Sequence, residues 1–166
     1  MHGSHHNQPP QKLTRYLAGD QETGKLGARL AKILEPGLVI YLCGDLGAGK
    51  TALARAILRG LGYPGKVKSP TYTLVELYRV SRLNLYHFDL YRFRDQLEWE
   101  DAGFRDYFNP ESVCLVEWPE KAGDLLPPAD LKITLNIRGS GRNVEIEPGT
   151  ETGRRCLAQL ERDAPV

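Results

Sequence analysis

The sequence predicts an α/β fold, a three-layer sandwich built around a mixed central β-sheet, and three observations predict it. Leu38-Val39-Ile40-Tyr41-Leu42-Cys43 and Val113-Cys114-Leu115-Val116-Glu117 are apolar runs of strand length. Such runs suit strands buried on both faces, as in a parallel sheet. Segments with helical spacing of apolar residues flank the first run. Residues 71–89 read as an antiparallel hairpin, which makes the sheet a mixed one.

Taken in order, Asp20 is the expected N-cap of a helix over 20–34, with Leu26, Leu30, Ile33 and Leu34 on one face. Pro36-Gly37 stops it, and the strand at 38–43 follows. After a glycine-rich loop, Leu53, Ala54, Ile57, Leu58 and Leu61 mark the inward face of a second helix, which Gly62 ends. Residues 71–80 are rich in Thr, Tyr and Val and read as a strand. Residues 81–84 are turn-like, and 85–89 read as the returning strand. A largely polar helix is expected over 96–107, before Asn109-Pro110. The apolar run at 113–117 is a further buried strand. Strands are expected at 131–137 and 144–146, around Gly139-Ser140-Gly141, and a short helix at 152–162. The layering follows, because each apolar face must be buried against another element.

Composition narrows the function. The 166 residues hold 22 Lys+Arg and 21 Asp+Glu, with 41% hydrophobic and 26% charged residues. That balance is globular, and a chain this long buries roughly 68–70% of its unfolded surface without a metal or disulfide staple. One domain usually takes roughly 100–200 residues, so residues 12–166 are expected to form a single domain. A net charge of +1 argues against a protein that coats nucleic acid. No apolar run approaches the roughly 18 residues of a membrane span. Cys43, Cys114 and Cys156 are too few and too scattered for a disulfide framework or a zinc site. Cys43 and Cys114 read as buried small hydrophobes, a usage that fits a reducing cytoplasm. Residues 1–11, with His2, His5 and His6, are set aside as a frayed tail or tag remnant.

The chemistry begins at Gly44-Asp45-Leu46-Gly47-Ala48-Gly49-Lys50-Thr51, which matches G-x-x-x-x-G-K-[ST] at every fixed position. At this composition such a match is expected about 0.006 times by chance. It also has its required context, a buried strand before and an amphipathic helix after. Glycines let the backbone curl so that N–H groups converge on phosphate oxygens. The helix that begins at Lys50 adds its unpaired N–H groups and the positive end of its dipole. Lys50 is placed to reach the β- and γ-phosphates, and the Thr51 hydroxyl to ligate magnesium.

Such a site also needs an acid at a strand end, and Asp89 and Glu117 each close an apolar run. The sequence leaves open which of them meets the metal. In Ser69-Pro70-Thr71-Tyr72, Pro70 holds Ser69 extended beside two hydroxyls, where a segment sensing the γ-phosphate would sit. His87 reads as a structural histidine. Arg92 lies three residues past Asp89, so a continuing strand would point the two to opposite faces.

Together these residues resemble one family, the bacterial TsaE proteins of tRNA threonylcarbamoyladenosine biosynthesis. The likeness rests on the glycine loop, Ser69-Pro70-Thr71-Tyr72-Thr73-Leu74-Val75, Tyr86-His87-Phe88-Asp89-Leu90-Tyr91-Arg92 and Leu115-Val116-Glu117-Trp118-Pro119-Glu120. It covers roughly residues 17–150. The resemblance implies a P-loop fold, ATP with Mg2+, and ADP as product. Lys50, Thr71, Asp89 and Glu117 would be catalytic. Thr51 and Glu117 would ligate the metal, with Asp89 near it or its water. Leu46, Gly47, Ala48, Gly49, Lys50 and Thr51 would bind the nucleotide, Trp118 would lie beside its site, and the adenine would lie between Asp20 and the Gly141-Arg142 turn. The implied partners are TsaB and TsaD, with tRNA contact indirect. The implied activity is a cytoplasmic ATP hydrolase, weak alone and activated by those partners. No Asn-Lys-x-Asp segment is present to read guanine. The alternatives are a small-molecule kinase using Arg92, Arg94 or Arg105 as lid cations, or a non-catalytic ATP sensor.

Overall fold

The computed structural model describes residues 11–162. The segment 1–10, read above as part of a tail or tag remnant, lies outside the described residues.

The two apolar runs become the centre of the sheet. Val39–Cys43 (β2) lies between Ser112–Glu117 (β5) and Leu131–Arg138 (β6) and runs parallel to both. Every residue of β5 is buried, as a strand covered on both faces must be. Leu83–Asp89 (β4) adds parallel to β5, and Val75–Val80 (β3) adds antiparallel to β4 at one edge. On the other side Gly141–Pro148 (β7) pairs antiparallel with β6, and Leu13–Leu17 (β1) closes that edge against β7. The order of the seven-stranded sheet is β1-β7-β6-β2-β5-β4-β3.

Asp20–Ile33 (α1), Lys50–Gly60 (α2) and Glu151–Arg162 (α4) supply the core of one face, with Leu30, Leu53, Ile57 and Leu157 fully buried. α1 and α2 approach closely because Gly27 and Gly60 lie at their contact. A Cβ at Gly27 would overlap Ala56, and one at Gly60 would stand 2.8 Å from Ala28 Cα. Aromatic residues fill the opposite face. Phe88 of β4 meets Trp99 of Gln96–Asp101 (α3), Phe104 and Phe108 at centroid distances of 6.2, 5.6 and 5.1 Å. Edge-to-face and offset pairs of this kind add to simple burial. The expected three-layer mixed α/β sandwich is present.

Several boundaries differ from the sequence reading, each for a local reason. β1 was not expected. Leu13 and Leu17 are its buried positions, four apart, so it lacks the alternation that marks a strand; pairing with β7 makes it one. Asp20 is not an N-cap. Gly19 occupies that position without a side-chain bond, and Asp20 sits in the first turn, where a negative charge complements the helix dipole. β3 starts at Val75 rather than 71, because Leu74 takes a left-handed φ of 69° and its N–H donates to Pro70 O at 2.9 Å. The hairpin turn contracts to Ser81 and Arg82, both left-handed, as a two-residue turn with mirror-image geometry requires. The helix expected over 96–107 ends at Asp101; Gly103, at φ 68°, leads into a separate 3-10 turn, Phe104–Tyr107. β7 is longer than 144–146 because it pairs with β6 along its length. Cys114 is buried as expected and its thiol is pushed up to about 12 by that burial. Cys43 is only half-buried.

Candidate phosphate-binding site

β2 ends at Cys43 and α2 begins at Lys50. The chain reverses between them with Gly44, Gly47 and Gly49 at φ 139°, 82° and 106°, a region that L side chains rarely adopt. No side chain caps the N-terminus of α2. Its first N–H groups, which have no partner within the helix, therefore face the loop together with the dipole's positive end. Such an arrangement can hold an anion.

Lys50 is 4% exposed, and its Nζ donates to Gly44 O at 2.5 Å and Asp45 O at 3.0 Å. Its ammonium also lies 4.1 Å from the centroid of the Trp118 ring. Burial lowers its pKa, while Glu117, Glu120, Asp89 and Asp45 pull it back up. From outside, Arg142 donates Nε to Ala48 O at 2.9 Å and Nη2 to Gly47 O at 3.1 Å. The Gly47 and Ala48 carbonyls are thus turned to the brace, and the loop's curvature is held.

The acids come from the neighbouring strands. Asp89 and Glu117 are register partners at the C-terminal ends of β4 and β5. Thr51 Oγ1 donates to Glu117 at 2.9 Å from Oε1 and 3.1 Å from Oε2. Asp89 Oδ1 accepts the Tyr91 N–H at 3.0 Å, and burial raises the Asp89 pKa against that backbone bond. His87, completely buried, holds Nε2 at 2.6 Å from Glu117 Oε2. His87 Nδ1 has no hydrogen-bond partner among the described residues.

A hard cation takes oxygen ligands, and magnesium typically uses one or two from the protein, with phosphates and water completing its shell. The Thr51 hydroxyl and Glu117 carboxylate form such a pair beside the anion site. Among the described residues no group of three or more His, Cys, Asp or Glu side chains could hold a metal alone. The donor set therefore fits a metal that arrives with phosphate.

A cavity of about 490 Å³, the size of a small-ligand site, joins these groups. Leu46, Gly47, Gly49, Lys50 and Thr51 line it from the glycine loop, and Asp89, Glu117 and Trp118 from the strand ends. Ser69 and Thr71, bonded to each other through their hydroxyls at 2.8 Å, line it as well. Asp20, Ala48, Gly141 and Arg142 do not line it: Ala48 is buried beneath the loop, and Arg142 grips the loop's outer side. Sequence reasoning missed the contact of His87 with Glu117 and the Tyr91 ring, 4.9 Å from that of Trp118. A signal for His87 existed, since alternation puts it on the same face of β4 as Asp89. Arg92, expected to point away, lines the cavity because β4 ends at Asp89 and a turn follows, with Phe93 N donating to Leu90 O at 3.0 Å.

A buried parallel strand, a glycine loop at a helix N-terminus, and acids on the adjacent strand ends define a P-loop protein of the α/β class. Residues 17–144 match the family described as Threonylcarbamoyl adenosine biosynthesis protein TsaE, and the chain belongs to that family. A Haemophilus influenzae protein named tRNA threonylcarbamoyladenosine biosynthesis protein TsaE is 44% identical over 153 residues, 89% of this chain and 97% of its own length. A Bacillus subtilis protein of the same name is 41% identical over 119 residues, 72% of this chain and 74% of its own. The crystal structure of Bacillus subtilis YdiB superposes with a TM-score of 0.77 at 28% identity, covering 94% of this chain and 98% of that one.

Proposed function

We propose that this protein is a magnesium-dependent ATP hydrolase that serves threonylcarbamoyladenosine formation in tRNA, slow alone and activated by a TsaB–TsaD pair. The observation that carries the reading is the Thr51–Glu117 pair beside Lys50 at the uncapped start of α2. Phosphate oxygens displace the Gly44 and Asp45 carbonyls as partners of Lys50. The loop N–H groups hold the phosphate chain. Thr51 and Glu117 are the residues that would hold magnesium, which neutralises charge as the γ-phosphoryl group transfers. Asp89, whose pKa is raised by its burial, stands next to Glu117 to orient the attacking water. Thr71, tied to Ser69, faces the γ-phosphate, and Trp118 packs against the phosphate end of the site. The family likeness assigns Asp20, Gly141 and Arg142 to the adenine side. A cytoplasmic protein with a net charge of +1 suits a role in which the partners hold the tRNA.

The test is steady-state phosphate release from ATP, with and without magnesium and with and without TsaB–TsaD, and with no phosphoryl acceptor added. Release that needs magnesium and rises with the partners supports the proposal. Turnover only with a small-molecule acceptor would establish a kinase, and binding without turnover a nucleotide sensor.

A further inference from the structure

Phosphoryl transfer gains most from a second positive charge at the transferring group, beyond the P-loop lysine and the metal. Lys50 and Arg92 are the two cationic side chains that line the cavity. They come to it from opposite sides, Lys50 from the start of α2 and Arg92 from the turn after β4. Arg92 makes no ion pair and no side-chain hydrogen bond among the described residues, so its five guanidinium N–H donors are uncommitted. Its one described contact is cation–π: the guanidinium lies 4.9 Å from the centroid of the Tyr72 ring. Tyr72 is 82% exposed, so no packing fixes that ring, and it follows directly on Thr71 in the segment read as the γ-phosphate sensor. Asp89, in contrast, is anchored through the Tyr91 N–H at the base of the same turn. The turn is thus fixed at its start and leaves Arg92 free at its end.

Building on the ATPase reading above, we propose that Arg92 is a catalytic residue, the second cation of the site. Resting on Tyr72, its guanidinium swings onto the γ-phosphoryl oxygens as the Ser69–Tyr72 segment closes on them. In the step it assists, the water oxygen bonds to the γ-phosphorus while the bond from that phosphorus to the β,γ-bridging oxygen breaks. The electron pair leaves with ADP, and the water's proton passes to the phosphate released. Arg92 neutralises charge that builds on the equatorial oxygens and takes no proton.

The test compares Arg92→Ala and Arg92→Lys with the unaltered full chain, together with TsaB–TsaD. The readouts are kcat, KM for ATP, and affinity for Mg-ADP with and without aluminium fluoride, which mimics the transferring group. For Arg92→Ala, kcat falls by about 10²-fold or more, and affinity for the fluoride complex falls in parallel. Affinity for Mg-ADP alone changes less than about 3-fold, since the interaction belongs to the transition state. Arg92→Lys keeps a charge without the planar fork and recovers only part of the loss. Thermal unfolding of both variants at the unaltered midpoint shows that folding is not the cause. An unchanged kcat, or equal losses for Mg-ADP and the fluoride complex, would overturn the assignment while leaving the ATPase reading intact. If the unaltered chain releases no phosphate under any of these conditions, the ATPase reading itself falls, and this inference with it.

Discussion

Replacing Lys50 by Ala separates the phosphate site from the fold that carries it. In the folded chain the Lys50 ammonium sits against Gly44 O, Asp45 O and the Trp118 ring, at 4% exposure. Burial lowers its pKa, so the fold disfavours the charge, and the carboxylates of Glu117, Glu120, Asp89 and Asp45 partly offset that. The two effects oppose each other, and the substitution shifts unfolding by no more than about 1 kcal/mol, or about 2–4 °C for a chain of this size. Binding has no such compensation. One charge-assisted contact to phosphate is worth about 1.5–3 kcal/mol, which is a loss of about 12- to 160-fold in affinity. Thermal unfolding with and without Mg-ADP reads both quantities at once. Ligand at 100 times its Kd stabilises by about 2.7 kcal/mol, a rise of about 5–11 °C. With affinity weakened about 100-fold, the same concentration stabilises by only about 0.4 kcal/mol, or about 1–2 °C. A folded Lys50→Ala protein that keeps the full ligand-induced rise would refute the phosphate role of Lys50.

Three further outcomes follow from the geometry. Glu117→Gln and Thr51→Ala abolish the gain in ATP affinity on adding magnesium but leave magnesium-free binding within about 3-fold, because the proposed function puts both on the metal side of the site; binding titrations with and without chelator check this. Asp89 has a folded pKa raised by burial, so the folded state holds more protons than the unfolded state from the ordinary carboxylate range up to that raised value. Stability therefore falls as pH rises through that window. Asp89→Asn is the more stable protein at neutral pH, and its advantage fades as pH drops below about 4 in urea unfolding series without metal or nucleotide. Gly27→Leu drives a side chain into Ala56 and the backbone of Ile57, costing about 1–3 kcal/mol or more and lowering the midpoint by several degrees; an unchanged midpoint would mean that α1 and α2 are not in close contact.

What the sequence made legible tracks how local its causes are. The glycine loop, β2, β5 and α2 each carry their own signature of residue type and period, and they were placed with small boundary errors. β1 was invisible because Leu13 and Leu17 become strand residues only by pairing with β7, a contact across most of the chain. The turn at Leu74 was missed because a left-handed leucine has no local warning. The same limit governs the site. Lys50 and Thr51 could be named from one octapeptide, but choosing between Asp89 and Glu117 needs the positions of two strands relative to α2. Thr51 bonds Glu117, while the described bond of Asp89 is to the backbone of Tyr91. Arg92 shows the converse, a side chain whose direction was misread because the strand stopped one residue after Phe88.

The distribution of buried polarity points to what the site is for. Five polar or charged residues are buried among those described: Lys50, His87, Asp89, Ser112 and Glu117. Ser112, bonded to Asn109 Oδ1, lies at the start of β5, and the other four gather where β4, β5 and α2 meet. Burying a charge costs several kcal/mol, and its neighbours recover that only with good geometry. Nothing in the sandwich requires the expense, since strands as apolar as β2 could end in apolar residues. The contacts among the four also stop short of full satisfaction: His87 Nδ1 has no partner among the described residues, and Asp89 and Lys50 are both held away from their ordinary charge preference. A fold selected for stability alone would replace such a cluster. Its position at the mouth of an uncapped helix agrees with the proposed function, in which phosphate and metal would complete the charges left unbalanced there. His87 is placed to act through Glu117, since it contacts Oε2 while Thr51 reaches both carboxylate oxygens, and the two together fix the carboxylate's orientation.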